Sequence, residues 1–538
     1  MAQYRKEECL IRQLPELYPG PGGAIAIIKD GQVRARESWG YINLERHIPF
    51  TPRATFRICS ITKQFTCALL LDAFPDFSRL DEDVRHFLPQ LSAPLPKIAH
   101  LAHNQSGLRD YWAMGMVMGA LPDTLFSEDD ARHIMMTTKT LQFTPGTSYS
   151  YCNQNFRLIG DIVARRLDRD YASLMHHHVF SRYGMEHAFI AADTTSLPDG
   201  GTGYEGSVAT GFIPAKNRIL WTGDAGIGAT LDDLIAWELY IDRERNHPRG
   251  IYQQLSQPQS FTDGTPAPYG FGLRHFTFEG RKATGHGGGL RGWHSFRMHV
   301  PEDRLSVVVL FNHMSNAYGA ALRLARAAIG LDEAPPRQVV STSPADVPPT
   351  GLFLDDAAGL AAQIFHGPAG RMLHYLHPPE TCPEPDEVPE DPFRTRISSE
   401  GEATLMHRPG ENRSVILRRL HPYAYDGPDD RDVLRGAYYC AENDSWLDIT
   451  TDGQGLYGAF FGFLGKGPMS PIRRLSDDVF SMPCRRALDH APPGDWTIEI
   501  LDARKKKARH PAREIRVGCW LARNLRYRRV NAVFDRGR

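Results

Sequence analysis

With 538 residues the chain is long enough for more than one domain, and 41% hydrophobic against 23% charged residues is the balance of a globular protein, not of a disordered or membrane-embedded one. The formal net charge of −1 excludes a global electrostatic drive toward nucleic acid or an anionic lipid surface. The eight cysteines lack metal-ligand spacing, and residues 1–8 are polar with no apolar signal segment behind them, so reduced thiols and a cytoplasmic location are expected.

The apolar run 24–28 is too short to span a membrane and predicts a strand, turned at Asp30-Gly31 into a second strand over 33–39. Phe56 and Ile58 then lead, half-apolar and extended, into Ser60-Ile61-Thr62-Lys63, and Phe65, Ala68 and Leu69 leave it at helical spacing. Ser60 is therefore expected at a helix N-terminus, where free N–H groups and the positive dipole end favour a developing anion. Lys63 lies one turn further on the same face. A serine hydroxyl is a poor nucleophile until a base takes its proton, and a lysine can do so if its ammonium pKa is lowered. Taken alone, the tetrapeptide reads more readily as an N-cap serine and a solvated lysine.

Further on, His103-Asn104-Gln105-Ser106-Gly107-Leu108 ends in a turn, with Gly107 freeing the backbone for a loop near the site. Pro145-Gly146 is a turn signal, and Phe156, Ile159, Val163 and Leu167 predict an amphipathic helix. This places Tyr151 and Asn153 on the loop before that helix. Cys59 and Cys152, flanking the two motifs, are expected as small packing residues. His176-His177-His178 is not a metal site on this reading, because neighbours on a helix point about 100° apart. Thr230 starts a helix after a glycine-rich stretch. His286-Gly287-Gly288-Gly289 follows, then strands over 293–300 and 305–311 and a helix over 316–329. After a proline-bearing linker the pattern becomes short alternating runs, with a turn at 409–412, a break at 421–430 and a long polar loop over 487–495.

Ser60-x-x-Lys63, Tyr151-x-Asn153 and His286-x-Gly288, in this order, resemble the three motifs of the penicillin-recognising serine hydrolases. A second Tyr-x-Asn occurs at Tyr41 and Asn43. The phrases Cys-Ser-x-x-Lys-Gln-Phe-Thr, Tyr-Cys-Asn and His-Gly-Gly are more closely similar to the bacterial D-stereospecific aminopeptidases. That resemblance implies a multidomain α+β fold: a β-lactamase/DD-peptidase-like catalytic domain, an antiparallel sheet flanked by helices, followed by two antiparallel β-barrel domains. The expected boundaries are 1–332 for the hydrolase domain, 333–348 for a linker, 349–420 for a small barrel, 421–430 for a second linker and 431–538 for the second barrel. The family also implies a loop of the last barrel in the catalytic cleft; the candidate is 484–493, with Asp489 to meet a substrate ammonium. A solvated turn residue is the other reading of Asp489.

The resemblance implies Ser60 as nucleophile, Lys63 and Tyr151 as a shared base, and Asn153 orienting Lys63 and the substrate amide. Which of Lys63 and Tyr151 takes the serine proton stays open. The N–H groups of Ser60 and Gly289 would hold the oxyanion, and Gly287 and Gly288 would border the substrate. His286 stands where the commoner superfamily form has lysine; an imidazole mostly neutral near pH 7 argues against a carboxylate beside the scissile bond. The expected activity is release of an N-terminal D-amino acid from peptides, amides and esters bearing a free amino group, through an acyl-enzyme. No metal or cofactor is implied, nor a nucleic-acid or membrane partner; a homodimer and inhibition by β-lactams are. The alternatives are an esterase, a β-lactamase or a DD-carboxypeptidase of the same superfamily, and, outside enzymes, a catalytically dead peptide or lipid receptor.

Overall fold

The computed structural model describes residues 2–191, 193, 197–331, 350–367, 370–375, 380–382, 391–401, 403–423, 433–484, 494–502 and 511–530. The linker 333–348 and residues 485–493, with Asp489, lie outside the described residues.

The N-terminal part is built on an eight-stranded antiparallel sheet. Its strands run Tyr269–Gly270, Leu273–Phe278, Arg281–Leu290, Trp293–Val300, Leu305–Phe311, Gly22–Lys29, Gln32–Asn43 and Ile48–Pro49 in spatial order. The first long strand thus pairs with the last, Gly23 opposite Phe311 and Lys29 opposite Leu305. This strand is an unbroken apolar run because both its faces are buried. Ile25 and Ile27 face the helices Ala2–Leu17 and Ala317–Ala328, while Ala24, Ala26 and Ile28 face the opposite, mostly helical layer. The strands over Trp293–Val300 and Leu305–Phe311 and the cap of the Leu231–Arg243 helix by Thr230 follow the sequence pattern. The Ala2–Leu17 helix does not; its polar outer face hides Leu10 and Leu14, which pack on the sheet.

In the helical layer, Thr62–Ala73 is buried on every side from Thr62 to Leu71. The helix Asn153–Leu167 packs against it and begins three residues earlier than the apolar spacing predicts, so Asn153 is its first residue and not part of the preceding loop. Apolar periodicity cannot see a helical turn whose side chains are all polar.

The C-terminal part contains a closed barrel and a half-barrel. Seven strands between Gly351–Asp355 and Arg413–Leu420 form an open antiparallel sheet around Phe353, Ile364, Leu373 and Met406. Beyond it, eight strands close on themselves where Ser445–Thr451 pairs with both Gly436–Cys440 and Leu456–Gly462. The barrel's interior, with Leu447, Phe460, Trp496 and Tyr527, is continuous with the hydrophobic core of the helical layer. Leu464 donates its N–H to Met118 O, and Gly119 lets the Gly465 turn approach so closely that a Cβ there would stand 1.9 Å from Gly465 O. Among the described residues no helix is long and apolar enough to cross a membrane. Seven of the eight cysteines are buried as thiols, Cys59 and Cys152 among them.

Candidate active site

Ser60 lies in a single 3₁₀ turn, Cys59–Ile61, that runs straight into the Thr62–Ala73 helix. Cys59 just before it holds a left-handed φ of 52°, an unfavourable conformation for a residue with a side chain and one often retained where a neighbour must be aimed. The strand Arg281–Leu290 passes over this turn. Gly288 makes the approach possible, since a Cβ there would stand 2.3 Å from Ile58 O and 3.1 Å from Cys59 Cβ. On another side Gly272, at φ 77°, lets its loop rest on the Lys63–Gln64 backbone.

Lys63 is fully buried, and its ammonium nitrogen has three oxygen partners: Ser60 Oγ at 2.9 Å, Asn153 Oδ1 at 2.8 Å and the Asp224 carbonyl at 2.8 Å. The Tyr151 ring centre is 5.0 Å from the same nitrogen. The helix that carries Asn153 has no side-chain cap of its own; instead the buried carboxylate of Asp110, 43 positions earlier, accepts its first N–H at 2.6 Å and the Asn153 side-chain amide at 3.1 Å.

His286 lies in the same strand as Gly288 and is nearly fully buried. Its Nδ1 is 2.5 Å from Gly287 O, and a carbonyl can only accept, so Nδ1 carries the proton. Nε2 then accepts from Tyr269 Oη at 2.9 Å. Burial holds the imidazole neutral, its pKa pushed down to about 3 with a further contribution from Lys63, while burial raises the Tyr269 phenol and keeps it a donor.

These groups open into a cavity of about 490 Å³. Ser60, Tyr151, His286 and the backbone of 287–289 line one part of it. Asp391, Phe393 and Glu411 of the half-barrel and Trp520 of the closed barrel line another.

Residues 9–331 match the family model described as Beta-lactamase, and residues 344–528 match that of D-aminopeptidase, domain B. A curated D-aminopeptidase of Gluconobacter oxydans (strain 621H) is 49% identical over 536 residues, covering 97% of this chain and 98% of its own length. The chain belongs to the D-aminopeptidase family. A second member, from Brucella canis (strain ATCC 23365 / NCTC 10854 / RM-666), is 39% identical over 524 residues, with 97% of this chain and 98% of the relative covered. Among solved structures, the octameric penicillin-binding protein homologue from Pyrococcus abyssi aligns over 98% of this chain and 100% of its own, at 18% identity and a TM-score of 0.49.

In this D-aminopeptidase-family chain the three sequence motifs converge on one cavity. Tyr41-x-Asn43 does not join them; it lies on the strand Gln32–Asn43, with the Asn43 amide bonded to Gly200 O and Thr202 Oγ1. Asn153 Oδ1 faces Lys63, and its amide nitrogen is turned toward Asp110. Four further residues at the site carry no motif: Asp110, Asp224, Tyr269 and Glu411. Asp110 alone has a sequence signal, as the N-cap that accepts from Trp112 N at the start of the helix Tyr111–Val117. In the histidine run 176–178, His178 Nδ1 pairs with Asp72 at 2.8 Å.

Proposed function

We propose that this protein is a D-aminopeptidase, a serine hydrolase that releases an N-terminal D-amino acid from peptides, amides and esters with a free amino group. The observation that carries the reading is the 2.9 Å contact of Lys63 Nζ with Ser60 Oγ beside Tyr151, in a cavity lined by both the N-terminal part and the β region of a D-aminopeptidase-family chain.

In this reading Ser60 Oγ attacks the substrate carbonyl and its proton passes to the Lys63–Tyr151 pair. A neutral Lys63 has two N–H groups for Asn153 Oδ1 and the Asp224 carbonyl, which leaves its lone pair for the Ser60 hydroxyl. The N–H groups of Ser60 and Gly289 hold the oxyanion, the amine or alcohol leaves with a proton, and water then hydrolyses the acyl-enzyme. Gly287 and Gly288 border the substrate. Neutral His286 offers no cation to a carboxylate next to the scissile bond, which favours a peptide, amide or ester over a β-lactam as substrate. The boundaries given above, a homodimer, β-lactam inhibition, a cytoplasmic location and recognition of the substrate ammonium by Asp489 belong to the same proposal.

Hydrolysis of D- and L-alanine p-nitroanilides, each with and without N-acetylation, tests the reading. Turnover of the free D-isomer alone, lost in Ser60→Ala, is expected. Equal turnover of the N-acetylated form, or activity retained by Ser60→Ala, overturns it.

A further inference from the structure

Asn153 has to present an oxygen, not an NH₂ group, to Lys63, and nothing within the Tyr-x-Asn motif decides which way its amide faces. Asp110 decides it. An ionised carboxylate only accepts, so the Asn153 nitrogen must turn to Asp110 Oδ2 and its oxygen to Lys63. The same oxygen accepts the Asn153 backbone N–H at 2.6 Å, and Asp110 Oδ1 accepts Trp112 N–H at 3.0 Å, so the carboxylate is itself held by donors on two helices. Asp110 is completely buried, and its own N–H donates to Leu521 O at 2.9 Å, in the turn between the last two strands of the closed barrel. Its neighbour Arg109 donates to Arg523 O at 2.8 Å and pairs with Glu442 of the same barrel at 2.7 Å.

We infer that Asp110, anchored from behind by the C-terminal barrel, is a positioning residue that fixes the Asn153 amide against Lys63. The inference rests on the reading of Lys63 as part of the proton-transfer unit. It gives the barrel a part in the chemistry of Ser60 itself, separate from any part in substrate recognition.

Lys63 is surrounded by Ser60 and Cys67 from its own turn and helix, by Tyr151, Cys152 and Asn153 from the start of the next helix, by Asp224 and by His286. Burial keeps both cysteines as thiols and His286 neutral, Asp224 meets Lys63 through its main-chain carbonyl, and the negative charge behind Asn153 is the Asp110 carboxylate, which accepts from three N–H groups. Replacing Asp110 by asparagine removes that charge and sets an amide donor against donors. Deprotonation of Lys63 becomes easier as its geometry becomes worse.

The test is Asp110→Asn, alone and with Asn153→Ala. The single variant is expected to lose about a hundredfold in kcat with KM within about twofold. The acidic limb of its kcat–pH profile should move to lower pH, and fluorophosphonate labelling of Ser60 should slow by a similar factor although that reagent carries no amino acid. In the Asn153→Ala background the same substitution should cost little more. If Asp110→Asn does not accumulate as folded protein, Asp110→Ser, which keeps a cap for the Tyr111–Val117 helix, must show the same signature. An unchanged kcat, an unmoved acidic limb, or a full additional loss in the Asn153→Ala background overturns the inference. Ser60→Ala in the same labelling assay reports on the nucleophile alone, so failure of the proposed function is seen separately.

Discussion

At Lys63 one nitrogen meets three acceptors within 2.9 Å, which suits an ammonium, yet in the proposed mechanism a base must arrive neutral. Tyr151 beside it offers the second place where the serine proton can rest. Lys63→Ala and Tyr151→Phe should each lose most of kcat, and the double variant little more, because groups that act as one unit are not additive. Fully multiplicative losses in steady-state assays would refute the shared unit. Histidines make a second prediction. Burial lowers His103, His286 and His299 to about 3 and His275 and His313 to about 4, all from 6.5. Between those folded values and 6.5 the unfolded chain binds more protons, so stability is complete above about 6.5 and is lost as the pH falls through this window. Each such histidine removes up to about 1.4 kcal/mol per pH unit there. Tm should therefore drop between pH 7 and pH 5, before most carboxylates titrate; a Tm flat across that range would contradict the buried neutral imidazoles.

Among the elements, the strand Arg281–Leu290 packs closely on the Cys59–Ile61 turn that carries Ser60, the proposed nucleophile. A methyl group at Gly288 would meet Ile58 O at 2.3 Å and Ser295 Oγ at 2.2 Å. Backbone cannot swing aside as a long side chain does, so the strand must lift off the turn. Gly288→Ala should cost about 1–3 kcal/mol of stability, as overpacking does, and a larger share of kcat, because Gly289 moves with the strand and away from the oxyanion position. Thermal unfolding and kcat measured together check this; wild-type kcat with a lowered Tm would show that the strand does not set the oxyanion geometry.

Over the whole molecule, one buried carboxylate joins three parts of the chain. Glu411 of the half-barrel accepts from Arg408 at 2.8 Å and Arg413 at 3.2 Å, and from Trp520 at 2.8 Å and Arg523 at 3.1 Å in the closed barrel. Its carbonyl accepts from Ser148 Oγ and Tyr149 N, just before Tyr151. The arginines hold its pKa well below the usual carboxylate range against the upward push of burial. Glu411→Ala strands buried guanidinium groups and should cost about 3–5 kcal/mol, read as a shift in denaturant midpoint, with a parallel loss of kcat through the Tyr151 loop. A stability change below 1 kcal/mol would mean that the arginines find other partners. Recognition of the amino terminus is a separate matter. Asp489→Asn or removal of 484–493 should lower kcat/KM for D-alanine amide relative to its N-acetyl form, since a charge-assisted hydrogen bond is worth about 1.5–3 kcal/mol. An unchanged ratio in both variants would reject that loop as the reader.

Read alone, the sequence determined what chain-local geometry can carry. Three residues along the chain bring Ser60 and Lys63 together, Tyr151-x-Asn153 sits at a helix start, and alternation or continuity of apolar residues marks the neighbouring strands Trp293–Val300 and Leu305–Phe311, whereas the glycine-rich strand that carries His286 and Gly288 has no such period. The Ala2–Leu17 helix and the first turn of the Asn153–Leu167 helix escaped because their surface-facing or polar residues hide the period. Only the tertiary structure decided the partners of those motifs. Asp110 reaches Asn153 across 43 positions, the Asp224 carbonyl reaches Lys63 across 161, and Glu411 meets Arg523 across 112. A backbone carbonyl and a glutamate have no sequence pattern of their own, and the one Asp110 has marks a helix cap without naming Asn153 as its partner. Their roles come from the donors that folding brings to them, and those donors are set by how the barrel docks on the helical layer.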